Sequence, residues 1–290
     1  MVLPVGRLRP NRPNTVTQVS SAPAISGKVV PMGTYCVTGA ASGIGEATKR
    51  RLERDGHRVI GVDLRNAEVE ADLGTDAGRR HTIDRVLELS GGVLHGLVPA
   101  AGITGVPESV VSINFFGVMA LVNGFHDALA RAGGAGIVFI SSNSTILTPG
   151  LTRDHAAFYL GHLDDEAACR SYFADKGFLA YPAGKLALSY WARAHSVQPE
   201  WIGRGIKVNA VAPGLTDTGM TRPLLAVPEA KASVEAIPVP LGRWATPDEI
   251  ASVIALLLSN DTCILGQTII IDGGTDAVIQ PTSHPNPLGG

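Results

Sequence analysis

The sequence predicts an α/β fold, a single domain on a doubly wound (Rossmann-type) parallel sheet of about seven strands. Three observations carry this. Short β-branched runs alternate with helical stretches from residue 34 onward, and a glycine-rich turn joins the first run to the first helix. The strand segments are apolar throughout, as strands covered on both faces are.

Residues 34–38 (Thr-Tyr-Cys-Val-Thr) read as the first strand, and residues 43–54 as a helix free of proline. A second strand at 57–62 ends against Asp63, and a short one follows at 69–71. Helix 76–89 leads to strand 94–99, and the apolar helix 112–131 leads to strand 137–140. A helix at 181–197 precedes strand 206–211. The last helix, 247–258, has Thr246 as N-cap and Pro247 in its first position, where a missing N–H costs nothing, and strand 268–271 closes the series.

The chain has 290 residues, 45% of them hydrophobic, enough to bury a large core. Its 24 basic and 26 acidic residues leave a net charge of −2, which supplies no positive field for nucleic acid or an anionic membrane. No run reaches the roughly 18 consecutive apolar residues of a membrane span. Cys36, Cys169 and Cys263 are odd in number and widely spread, which suits a reducing, cytoplasmic setting and apolar packing. Small-molecule partners are therefore expected.

Residues 1–31 differ from the rest: Arg7, Arg9, Arg12 and Lys28 are basic, no residue is acidic, and Pro4, Pro10, Pro13, Pro23 and Pro31 oppose regular structure. They read as a disordered extension, with Met32 just before the first strand as an alternative start and a targeting peptide as the competing reading. The folded domain is placed at 32–290.

The turn Thr38-Gly39-Ala40-Ala41-Ser42-Gly43-Ile44-Gly45 has glycines where a pyrophosphate must come close to a helix N-terminus. Asp63 stands 18 residues after Gly45, where a carboxylate can accept from both adenosine ribose hydroxyls and repel a 2′-phosphate. With uncharged Ser42, this favours NAD over NADP, although Arg65 lies close by. Asp72 and Leu73 are candidates for the adenine edge, with an ordinary turn aspartate as the alternative. Tyr181 and Lys185, four residues apart, share one helix face, a phenol beside an ammonium group. A charge at about 4 Å and an effective dielectric of about 20 contributes about 4 kcal/mol, enough to draw a phenol of pKa about 10 towards neutrality.

With these residues in place, residues 32–277 resemble the short-chain dehydrogenase/reductase family. Gly39, Ser42, Gly43, Ile44 and Gly45 fall in its cofactor loop, and Ala101-Gly102 in its turn after the fourth strand, although Pro99-Ala100 replace the usual amides. Asn114 matches the family's helix asparagine, Ser141-Ser142 the end of its fifth strand, and Tyr181-x-x-x-Lys185 its catalytic pair. Pro213-Gly214, with Thr216 and Thr218, resembles the segment that holds the nicotinamide carboxamide.

The resemblance implies Tyr181 as acid/base, Ser142 as donor to the substrate oxygen and Ser141 as a structural serine. It implies that Lys185 activates Tyr181 and, with it, holds the nicotinamide ribose, while Asn114 supports a water chain. The interval from Gly102 to Asn114 is only 12 residues, short for the family, and that from Ser142 to Tyr181 is 39, long for it. Within the family the chain is most similar to bacterial 3α-hydroxysteroid dehydrogenase/carbonyl reductases, which implies a hydroxysteroid or other hydrophobic carbonyl substrate.

The long interval is an insertion at about 146–178. Its Phe158, Tyr159, Leu160, Phe173, Phe178 and Leu179 could cover a substrate or pack on their own domain, and Met220, Leu224 and Leu225 fall in a candidate lid at 219–237. His155, His162, Asp154, Asp164 and Asp165 lack compact ligand spacing, so no metal is expected. Members of the family commonly associate through the helices preceding and containing the Tyr-Lys pair. A homo-oligomer, dimer or tetramer, is expected, with the insertion redirecting it to another face. Two rival readings are a 3-oxoacyl thioester reductase and a non-catalytic NAD-binding scaffold.

Overall fold

A computed structural model describes residues 32–283, except the side chains of Pro223, Leu224 and Glu229. The predicted extension at 1–31, and the expectation for Leu224, lie outside what is described.

Seven parallel strands form one sheet in the order β3-β2-β1-β4-β5-β6-β7. They are β1 (Thr34–Thr38), β2 (Arg58–Asp63), β3 (Val69–Glu70), β4 (Gly96–Pro99), β5 (Ala135–Ile140), β6 (Ile206–Pro213) and β7 (Thr268–Ile271). The helices are α1 (Gly43–Arg54), α2 (Asp76–Ser90), α3 (Pro107–Val111), α4 (Val118–Arg131), α5 (Ser144–Leu147) and α6 (Arg153–Gly161). Then come α7 (Glu166–Ala174), α8 (Gly177–His195), α9 (Pro228–Glu235), α10 (Pro247–Leu258) and α11 (Thr275–Ile279).

Side-chain alternation along each strand divides the core in two. Tyr35, Val37, Val98, Val138 and Val211 pack with Leu52 of α1 and with Ile250, Ile254 and Leu257 of α10. Cys36, Leu97, Ile137, Phe139 and Val208 face the other way, into α4, α8 and the insertion helices. Register does the rest: Thr38 pairs with Val62 on one side and with Pro99 on the other, and Ile140 pairs with Val211. The segments that follow these strands therefore emerge along one edge of the sheet, where order reverses between β1 and β4 and an α/β sheet opens its crevice.

Two helices depart from the sequence expectation. The predicted helix 112–131 continues an earlier one, so that α3, a π-helical segment at Ser112–Gly117 and α4 run on from Pro107 to Arg131. By length and mean hydropathy this helix could cross a membrane, yet 67% of its most apolar window is buried inside the protein. It is a core helix. The second departure is α8, which begins at Gly177 rather than Tyr181 and carries Pro182 inside it. Proline has no N–H to donate and is ordinarily at home in a helix's first turn. Tertiary contacts extend the helix past that signal: Leu179 and Ala180 are buried, and the Ala180 carbonyl accepts from Tyr159 Oη at 3.1 Å.

The insertion is helical and belongs to the core. Tyr159 and Phe173 are fully buried and stacked at 4.7 Å, and Tyr159 lies 4.6 Å from Phe115 of the π-helical segment. Phe158 stacks on Tyr172 at 3.9 Å, while Phe178 points to solvent, 70% exposed. Of the two uses open to the insertion's six apolar side chains, packing on the domain itself describes Tyr159 and Phe173, and none of the six lines the cleft.

Tyr159→Ala is expected to cost about 3–5 kcal/mol and to lower the thermal midpoint by roughly 6–15 °C. Calorimetry checks this, and an unchanged midpoint would show the insertion to be an appendage.

Candidate active site

The sheet edge frames a cleft of about 590 Å³. Its floor at one end is the turn after β1. Gly39 has φ +66°, and a Cβ there would lie 2.9 Å from the Ala101 backbone nitrogen. A Cβ on Gly45 would lie 2.1 Å from the Gly39 carbonyl oxygen, an impossible approach, so α1 can start this close to the turn only with glycine there. Ser42 is the N-cap of α1 but makes no capping bond with its side chain, and with Gly43 and Ile44 it faces the cleft.

At the end of β2, Asp63 accepts from the backbone nitrogens of Ala41 at 3.0 Å and Leu64 at 2.7 Å. Its carboxylate is fixed on the cleft wall, whereas Arg65 is exposed and outside it. Asp72 and Leu73 line the same end, and Asp72 also accepts from Gly74 N at 2.8 Å, so it serves the turn as well. After β4, the turn at Ala101-Gly102 is tied to β1 by Ala101 N donating to Thr38 Oγ1 at 2.9 Å. Pro213, Gly214, Thr216 and Thr218 line the far wall beyond β6.

Ser142, Tyr181 and Lys185 meet at the centre. Lys185 is 5% exposed; its Nζ donates to the Ile140 carbonyl, the last of β5, at 2.7 Å. Ser141 Oγ donates to the Lys185 carbonyl at 3.0 Å and receives a bond from Ser189 Oγ at 2.8 Å, so Ser141 joins strand to helix. One residue on, the Ser142 hydroxyl is near enough to the Tyr181 phenol to act on its ionisation. Burial pushes Lys185 down to about 8. Burial also raises the Tyr181 phenol above its ordinary value, and the Ser142 hydroxyl opposes that rise. The expected lowering of Tyr181 by Lys185 does not emerge among the protein's own groups. Lys185 Nζ sits 5.5 Å from the ring centroid with one N–H directed at Ile140, and desolvation dominates.

Asn114 is the one predicted site residue outside the cleft wall. It lies in the π-helical segment, and its amide bonds the Ile103 backbone twice, accepting from N at 2.9 Å and donating to O at 2.8 Å. Its side chain thus serves the nearby backbone. The sequence missed Ile113 and Asn143, which line the cleft, while Val234 and Ile237 line it from the candidate lid at 219–237. Asn143 adjoins the serine pair and is 8% exposed, with Nδ2 unpaired among the described residues. Only its place beside Ser142 could have singled it out. Met220 faces the cleft, while Phe158 does not. Among the described residues no three His, Cys, Asp or Glu side chains gather for a metal ion.

This arrangement has counterparts. The description "short chain dehydrogenase" matches residues 34–152, and "Enoyl-(Acyl carrier protein) reductase" matches residues 168–276, with the break inside the insertion. The 3α-hydroxysteroid dehydrogenase/carbonyl reductase of Comamonas testosteroni is 37% identical over 260 residues, covering 87% of this chain and 99% of its own. The chain belongs to the short-chain dehydrogenase family. It is an oxidoreductase.

Among other members, a 3-oxoacyl-[acyl-carrier-protein] reductase of Thermotoga maritima is 29% identical, covering 83% of this chain and 97% of its own. The crystal structure of a 3α-hydroxysteroid dehydrogenase from Pseudomonas sp. B-0831, complexed with NADH, superposes with a TM-score of 0.79 at 38% identity. It covers 86% of this chain and 99% of that one. The family binds NAD(P)(H), and the present cleft fits such a dinucleotide, because Gly39 and Gly45 permit the tight turn that sets the N-terminus of α1 against the cleft wall.

Gly45→Ala is expected to displace the turn and weaken NADH binding at least about tenfold, the equivalent of about 1.4 kcal/mol. Fluorescence titration of NADH measures it, and unchanged affinity would remove the turn from the binding site.

Proposed function

We propose that this protein interconverts a secondary alcohol and a ketone with NAD(H), and that its substrate is a hydroxysteroid or another hydrophobic carbonyl compound. The observation that carries the reading is the convergence of Ser142, Tyr181 and Lys185 in a cleft with a glycine turn at its other end. The dinucleotide would be held by the turn from Gly39 to Gly45, by Asp63, and by Ala101, Gly102, Pro213, Gly214, Thr216 and Thr218; when bound, it supplies the hydride acceptor or donor. Ser142 donates to the substrate oxygen. Tyr181 takes the hydroxyl proton in oxidation and returns it in reduction. Lys185 places a positive charge beside that phenol and fixes it against β5. Asn114 acts at one remove, by holding the Ile103 backbone next to Gly102.

Asp63 supports NAD over NADP. Its carboxylate is anchored by two backbone amides and cannot swing away from a 2′-phosphate. Leu147, Met220, Val234 and Ile237 give the substrate end an apolar lining, which supports a hydrophobic carbonyl over a polar one. The 3-oxoacyl thioester reading draws on the Thermotoga relative, and Asp63 speaks against it to the extent that such enzymes use NADPH. Because α6 packs on α8 and α7 on α3, a homo-oligomer is proposed to form through another face. Buried free thiols at Cys36 and Cys169 accord with a cytoplasmic setting.

Tyr181→Phe is expected to abolish turnover of any ketone while leaving NADH binding within about twofold; a catalytically silent dinucleotide binder would lose nothing. Asp63→Ala should lower the NAD-to-NADP ratio of kcat/KM by about tenfold or more, the worth of about 1.4 kcal/mol. The phenol must lose its proton for oxidation and keep it for reduction. Burial holds its pKa high, so alcohol oxidation should climb with pH, by up to about tenfold per unit, while ketone reduction stays level through neutrality. A level oxidation profile from about pH 6 to 9 would argue against Tyr181 as the base.

A further inference from the structure

Leu147 and Thr148 of the insertion line the cleft directly, whereas its helices α6 and α7 do not, and α7 reaches it through one buried guanidinium. Arg79, in the first turn of α2, is 6% exposed. Its Nε donates to the Leu73 carbonyl at 2.8 Å and one terminal nitrogen to the Ser112 carbonyl at 2.8 Å. Both terminal nitrogens grip Glu166 of α7, at 2.6 and 3.3 Å, and one also reaches the exposed Asp76 at 3.3 Å. Burial works to raise the Glu166 carboxyl, but the bonds from Arg79 and the Ser112 hydroxyl outweigh it and hold it below its ordinary range. The pair is ionised, bidentate and largely out of water.

The segment that Arg79 holds is a wall of the cleft. Asp72, Leu73 and Ile113 all line it. The turn at Asp72–Gly74 is wedged between α2 and the π-helical segment: a Cβ on Gly78 would lie 2.0 Å from the Asp72 oxygen, and one on Gly117 would lie 3.0 Å from the Leu73 oxygen. Close packing sets the turn's depth, and the Arg79 bonds to Leu73 and Ser112 set its lateral position. Within α2 the exposed Asp76 reaches the guanidinium by a single bond at 3.3 Å; the carboxylate that grips both terminal nitrogens comes from the insertion, 87 residues on.

We propose that Glu166 is a positioning residue for the adenosine half of the dinucleotide: through Arg79 it fixes Leu73 and Ile113 on the adenine side of the cleft. The insertion thus acts as a buttress for cofactor binding, at the opposite end from the substrate. This rests on the reading that the cleft end at Asp63 and Asp72 receives adenosine.

The test uses the full-length protein and its Glu166→Gln variant, with NADH titrated by fluorescence and 5′-AMP by competition. The structure predicts that Glu166→Gln weakens both NADH and AMP by about three- to tenfold, the cost of ordering a wall no longer held in place. It also predicts that kcat at saturating NAD stays within about twofold, since the Ser142–Tyr181–Lys185 centre is untouched. Equal AMP affinity in variant and wild type overturns the proposal, as does a fall in kcat without a fall in affinity, whatever happens to the thermal midpoint. Should Glu166→Gln lack a cooperative unfolding transition, Arg79→Lys, which keeps the charge and loses the fork, is titrated with the same two readings. A wild-type protein that binds neither NADH nor AMP would sink the dinucleotide reading itself; one that binds both, with a variant that binds them equally, sinks only the role of Glu166.

Discussion

The hydrogen bond from Lys185 to the carbonyl that ends β5 is the contact on which the centre of the cleft depends. It anchors the third turn of α8 against the strand, and the Ser141 hydroxyl closes the same joint from the other direction. With that joint fixed, Tyr181 sits one helical turn earlier on the same face, and Ser142 follows directly from the strand. The anchor carries a cost, because burial favours the neutral amine and brings Lys185 down to about 8. A buried cation held by one carbonyl is a stability defect that makes sense where its charge is wanted.

The sheet supplies the other half of the geometry. Parallel register brings the ends of β1, β2, β4, β5 and β6 to one edge, so the turns beyond them need only local chemistry to become a binding surface. Gly45 illustrates how tight that chemistry is, since even a methyl group would collide with the backbone of Gly39. Thr38 and Asn114 add a second layer by fixing the backbone of Ala101 and Ile103, in a family member whose Pro99-Ala100 departs from the usual amide pair.

The long interval between Ser142 and Tyr181 left its aromatic residues two uses, cover over a substrate or packing on the domain, and position along the chain could not choose between them. Rings such as Tyr159 and Phe173 gain more by stacking in a closed core than by standing at a mouth, and their burial leaves Glu166 facing Arg79. An insertion that enters next to one end of the cleft therefore bears on the other.

Much of this was determined by local sequence. All seven strands, the glycine turn, Asp63 and the Tyr181–Lys185 pair were legible because each rests on interactions within a few residues, or on a periodicity that one segment carries alone. The capped helix at Pro247–Leu258 was readable to the residue for the same reason, since Thr246 and Glu249 form a reciprocal capping box. What only the tertiary structure decided involves partners far apart in the chain. Pro182 stays inside a helix because Tyr159 and buried neighbours hold the preceding turn. Asn114 spends its amide on Ile103, Lys185 donates a hydrogen bond to the Ile140 carbonyl, and Arg79 meets Glu166. Sequence specifies the groups that can make such bonds, but burial and competition among distant partners choose which bonds are made.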